Sequence, residues 1–87
     1  MEKSKVAAST KANNLAGYIS GAIRENGVAE LKAVGAGALN QAVKAIATAR
    51  EILAPSGIDL ATVLAFLADI KMNGEARTAI TLTIYAR

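Results

Sequence analysis

The residues best suited to chemistry in this chain are glycines and cations rather than nucleophiles. Gly35-Ala36-Gly37 stands between a strand-like run ending at Val34 and a helix-like run carrying Leu39, Asn40, Gln41, Ala42 and Val43. Two glycines around one alanine let a backbone turn tightly and come close to a ligand, and the helix that follows presents N–H groups with no helical acceptor. Such an end attracts anions. Asn40 and Lys44 are four apart, so they stack on the exposed side of the first helical turns, near that end. Lys11 lies in an earlier polar connection, and Lys71 and Arg77 flank Asn73-Gly74 to make a basic hairpin arm, diluted by Asp69 and Glu75. What these groups share is an affinity for phosphate. The turn lacks both the Walker lysine with its following Ser or Thr and the third glycine of a dinucleotide fingerprint, which argues against nucleoside triphosphates and dinucleotides. The glycines also have a purely structural reading, close packing of strand against helix. Any single lysine taken alone reads as a solvated surface charge.

The chain contains no cysteine and no histidine. Disulfides, thiolate catalysis, cysteine zinc sites, the usual general base and the commonest metal ligand are therefore excluded. Seven carboxylates, ten cations and some hydroxyls remain, and no nucleophile stands with its base among them. The reading is non-enzymatic, with no cofactor and no metal. A net charge of +3 favours nucleic acid or an acidic surface as partner without deciding between them. Only 3% of residues are aromatic, so a base-stacking platform is not expected and nucleic-acid binding would rest on phosphates and shape. Tyr18 and Tyr85 read as core-edge residues with their hydroxyls in water.

These groups need a scaffold, and the periodicity supplies one. Lys5-Val6-Ala7-Ala8 reads as a short strand, and Ser9 to Asn14 as a polar connection rich in helix N-caps. Leu15, Ala16, Ile19, Ala22 and Ile23 recur at helical spacing, and Asn26-Gly27 stops that helix. Val28 to Val34 is a second strand, with Leu31 and Ala33 on one face and Glu30 and Lys32 on the other. After the glycine turn, Leu39, Ala42, Val43, Ile46, Ala47, Ala49, Ile52 and Leu53 form a broad apolar helix stripe, which Ala54-Pro55-Ser56-Gly57 ends. Ile58 to Met72 reads as a long third strand whose apolar middle calls for cover on both faces. Asn73-Gly74 is a hairpin signal, and the last strand alternates, with Thr78, Ile80, Leu82 and Ile84 on one face and Ala79, Thr81, Thr83 and Tyr85 on the other.

The expected fold is a single α/β (α+β) two-layer sandwich spanning residues 1–87, of order βαβαββ, with both helices on one face of a four-stranded mixed sheet. Lys5, Glu30, Lys32, Thr81, Thr83 and Tyr85 fall on its other face. At 87 residues the core buries roughly 60 to 65% of the unfolded surface, so association would help it. No run of about 18 apolar residues is present, which excludes a spanning helix, and the charged start Met1-Glu2-Lys3-Ser4-Lys5, which leads into a strand-like segment, does not read as a signal peptide. The expectation is a cytoplasmic protein without a membrane partner.

Three stretches then become recognisable together: Val34 to Ala45, Ala54-Pro55-Ser56-Gly57-Ile58-Asp59-Leu60 and Gly74-Glu75-Ala76-Arg77-Thr78-Ala79-Ile80. They closely resemble the stage V sporulation protein S family, over nearly the whole chain. That family looks like a bacterial relative of the Alba fold, whose small basic dimers bind DNA or RNA. The resemblance implies an Alba-like fold, a homodimer or tetramer, and a regulatory role in sporulation or development. Alba proteins usually carry paired lysines in the first connection, where this chain has Lys11 followed by Ala12 and Asn13. They commonly hold a basic residue between the turn glycines, where this chain has Ala36. These departures argue against chromatin-like coating of DNA and leave room for weaker binding, for RNA, or for a protein partner. The reading that follows is a nucleic-acid-binding regulator contacting phosphates through Lys11, Gly35, Ala36, Gly37, Asn40, Lys44, Lys71 and Arg77. The alternative is a protein–protein interaction module that docks a partner on its third strand without direct nucleic-acid binding.

Overall fold

Alternation along Val28–Val34 separates the two faces of the sheet: Ala29, Leu31 and Ala33 are buried, and Val28, Glu30, Lys32 and Val34 between them are half-buried. A strand that buries every second residue needs a layer on one side only. The computed structural model describes residues 4–87, with the backbone alone at 68–70 and 72, and it shows that layer. Its elements are β1 (Ser4–Val6), α1 (Ala12–Asn26), β2 (Val28–Val34), α2 (Ala36–Leu53), β3 (Leu60–Met72) and β4 (Glu75–Ala86), with a 3₁₀ turn at Ala54–Ser56. Of the charged start on which the expectation about a signal peptide rested, Met1, Glu2 and Lys3 lie outside the described residues, and Ser4 and Lys5 belong to β1. The order βαβαββ stands as expected, in a two-layer α+β sandwich. No helix among the described residues is long and apolar enough to cross a membrane.

The sheet runs β1-β2-β4-β3. β1 is parallel to β2, while β4 is antiparallel to both β2 and β3. Register places Lys5 beside Lys32, Lys32 beside Thr81, and Glu30 beside Thr83, so the polar face falls as alternation requires. On the opposite face Val6, Leu31, Leu82 and Ile84 meet Leu15, Ile19 and Ile23 of α1 and the inner row of α2.

That inner row differs from the expected stripe. Ala38, Ala42, Ala45, Ala49 and Leu53 are buried, whereas Leu39 and Ile46 are half-buried and Val43, Ala47 and Ile52 are exposed. Both rows have helical period, and the smaller residues take the inside because α2 packs against α1 as well as the sheet, where alanines permit the closest approach. Of the bulkier outer residues, Val43 and Ile52 are left exposed among the described residues.

The third strand departs further. Neither helix packs substantially over β3, which forms the long free edge of the sheet. Val63, Leu64, Phe66 and Leu67 are all exposed, so the described residues do not provide the cover expected on both faces. β2 reaches only Ala79 to Tyr85 of β4, so β3 and β4 run on beyond it as a two-stranded ribbon to the Asn73-Gly74 tip. There both residues have positive φ, 53° and 81°, as a two-residue type I′ hairpin turn requires. Where β3 begins, Asp59 braces three elements. Its carboxylate accepts from Arg50 Nε at 2.6 Å, from Arg87 Nε at 2.9 Å and from the Leu60 N–H at 2.9 Å.

Candidate nucleic-acid interface

β2 stops at Val34 because Gly35 takes φ 86° and ψ 164°, a conformation essentially reserved for glycine. The bend turns the Gly35 N–H onto the Thr78 carbonyl of β4 at 3.1 Å, and its own carbonyl accepts the first helical bond, from Leu39 N–H, at 3.1 Å. The amides of Ala36, Gly37 and Ala38 precede that first bond, and no side chain caps the helix. Partial positive charge therefore collects at the turn.

Arg77 adds a full charge to it. With β4 registered so that Ala79 faces Val34, Arg77 lies beside Gly35, and its Nη1 is 3.2 Å from where a Gly35 Cβ would stand. The guanidinium and the α2 N-terminus thus border one open groove of about 480 Å³, lined also by Leu39, Glu75 and Ile80. Glu75 Oε2 is 3.5 Å from Arg77 Nη2, with both side chains largely in solvent. Such a pair is weakly held, and an incoming anion can compete for the guanidinium.

The first connection comes to the same sheet edge because β1 and β2 are parallel. Two contacts bind it to the glycine turn. Gln41 Nε2 donates to the Thr10 carbonyl at 2.7 Å, and a Cβ on Gly37 would fall 2.9 Å from Ala8 Cβ, a distance that only glycine permits. Lys11, next after Thr10, is exposed and occupies the N-cap position of α1 without a side-chain cap bond. Two helix N-termini are therefore held together at one end of the molecule. Both turn glycines also have a structural role that needs no ligand, one for its backbone angle and one for its close contact.

Of the residues singled out from the sequence, Arg77 lies beside Gly35 in the Gly35-Ala36-Gly37 turn, and the loop that carries Lys11 is joined to the same turn through Ala8 and Thr10. Asn40 and Lys44 are exposed on the first turns of α2, one helical turn apart. Lys71 is not brought in. It pairs with Ala76, whereas Arg77 pairs with Ile70, so the two cations project from opposite faces of the ribbon and the basic hairpin arm is split. Sequence reasoning missed that Arg77 belongs to the glycine turn and that Gln41 ties the loops together. Nothing local marked either: the first depends on the register of β4 on β2, and the second on a bond between residues 31 positions apart.

A larger groove of about 530 Å³ lies between the end of α2 and the start of β3 and contains Arg50 and Asp59. Its carboxylate is neutralised by two guanidiniums, which hold its pKa well below the usual carboxylate range, Arg50 first, then Arg87 and the Leu60 N–H. Asp59 thus acts there as a brace, and Glu51 also lines the groove. Compared with known protein families, the chain matches the model described as stage V sporulation protein S (SpoVS) over residues 2–87.

Proposed function

The chain belongs to the stage V sporulation protein S family, and on that premise we propose that it is a non-enzymatic sporulation or developmental regulator that binds nucleic acid through phosphates. The observation that carries this reading is the pair of joined β-to-α loops, with Lys11 on one and Arg77 lying over the Gly35 turn of the other. One phosphate takes the α2 amides and Arg77, a geometry in which dipole and charge act together. Lys11 serves a neighbouring phosphate, and Asn40 and Lys44 extend the track along α2. With few aromatic residues to stack on bases, this is backbone recognition with little sequence readout.

Fluorescence anisotropy of labelled duplex DNA and of single-stranded RNA, titrated at several salt concentrations, tests it. Three cations at the site give a salt slope of about −3 for duplex. Replacing Lys11 and Lys44 by glutamate lowers affinity and reduces that slope by about 2. Unchanged binding by the double variant overturns the site assignment. No binding by the wild type even at low salt overturns the nucleic-acid reading and leaves the protein-interaction module in its place.

A further inference from the structure

We propose that Lys5 and Lys32, on the open face of the sheet, form a second phosphate contact, and that the ligand reaching it from the glycine turn is a single strand. The inference rests on the phosphate-binding reading above and names the class of nucleic acid for it. Both helices pack on one face of the sheet. On the other, Lys5 is exposed and stands beside the half-buried Lys32 of the neighbouring parallel strand, with Thr81 next in the same row. Like charges at one level of register destabilise a sheet. Neither ammonium meets a carboxylate among the described residues. A phosphate set between two strands about 4.8 Å apart accepts from both and relieves the pair.

Register also joins this row to the glycine turn. Arg77 has the parity of Ala79 and Thr81, so it leaves β4 on the open face, at the end where it borders Gly35. Lys32 lies three residues before Gly35, about 10 Å along the strand. Glu30, the next residue of β2 on this face, stands beside Thr83 and repels phosphate, so the track turns across the strands from Lys32 to Lys5 instead of running down β2. The corner decides what can follow it. The free amides of α2 point along the helix axis, off the end of the sheet, whereas Lys5 and Lys32 stand roughly perpendicular to the sheet. A duplex, stiff over about 150 base pairs, meets only one side of such a convex edge. The backbone of a single strand is flexible enough to reach both.

Fluorescence anisotropy of labelled single-stranded DNA, single-stranded RNA and duplex DNA, at several salt concentrations, tests this. Five cations on a single strand give a salt slope of about −3.5, against about −3 for the three that a duplex reaches. Lys5→Gln/Lys32→Gln lowers the single-strand slope by about 1.4, which is a loss of about 25-fold in affinity at about 0.1 M salt, and leaves the duplex slope as it was. Lys32→Gln alone gives about half that change in slope, whereas Arg24→Gln, which removes the same charge from the last turn of α1 at the other end of the molecule, gives none. Removing either lysine relieves the like-charge pair, so these variants keep or raise the Tm of the wild type. A single-strand slope unchanged in the folded double variant overturns the proposal and leaves the face to an acidic protein segment. An equal loss on duplex also overturns it. Failure of the wild type to bind any of the three overturns the proposed function instead, and this inference with it.

Discussion

Replacing Gly37 by alanine tests whether the two β-to-α loops are held together by direct backbone approach. The new Cβ would lie 2.9 Å from Ala8 Cβ and 3.7 Å from Ala8 Cα, against ordinary carbon–carbon contacts of about 3.5 to 4.0 Å. One loop must therefore move by roughly 0.6 to 1 Å, given that contact range. Neither yields freely: Thr10 is bonded to Gln41 through its carbonyl and to the Ala7 N–H through its hydroxyl, and Gly37 is in the first turn of α2. Overpacking of this kind costs about 1 to 3 kcal/mol, offset by up to ~1 kcal/mol from the better helix propensity of alanine. The net expectation is a loss of about 1 to 2 kcal/mol, or a fall in Tm of about 4 to 16 °C for a domain of this size. Ala8→Gly removes the clashing carbon, so Gly37→Ala in that background is expected to be neutral or mildly stabilising. Urea denaturation of the four proteins in the cycle, with unchanged m-values, measures the coupling. Equal destabilisation by Gly37→Ala in both backgrounds would show that the loops do not meet at this point.

Other perturbations reach different parts of the same argument. Gly35→Ala forces a side chain into φ 86° and ψ 164° and sets its Cβ 3.2 Å from Arg77 Nη1. It is expected to cost about 1 to 3 kcal/mol in denaturation and, by displacing the guanidinium, to lower the salt slope of binding by about 1. Arg77→Gln keeps the turn and removes the charge, so it should reproduce the slope change without the stability loss. Asp59 responds to pH. Its folded pKa is held below the unfolded value of about 3.9, so the stabilisation is complete above that value and is lost as the pH falls below it. The Tm difference between wild type and Asp59→Asn should therefore be widest near neutral pH and shrink below about pH 4, the carboxylate's unfolded range. A difference independent of pH would mean that Asp59 acts through packing rather than charge.

Much of this molecule follows from local patterning. The strand and helix order, the alternation of Glu30 and Lys32 against Leu31 and Ala33, the hairpin at Asn73-Gly74 and the glycine turn before α2 each depend on residues near one another in sequence, where period and backbone freedom are legible. Which row of α2 faces inward was not, because two apolar rows share the helical period and only the close approach of α1 selects the alanines. Nor did the strand order follow from sequence: β4 lies between β2 and β3 and leaves the most apolar strand at an edge, and nothing local to β2 specifies which distant strand it pairs with. The candidate site divides the same way. The anion-attracting helix end is a local property of Gly35-Ala36-Gly37, but Arg77 reaches it only through the register of β4 on β2, and the loop of Lys11 through the parallel pairing of β1 with β2, fixed by Gln41 and the contact of Ala8 with Gly37. Charge and helix ends are written in the chain itself; which charges meet at which helix end is decided when distant strands pair.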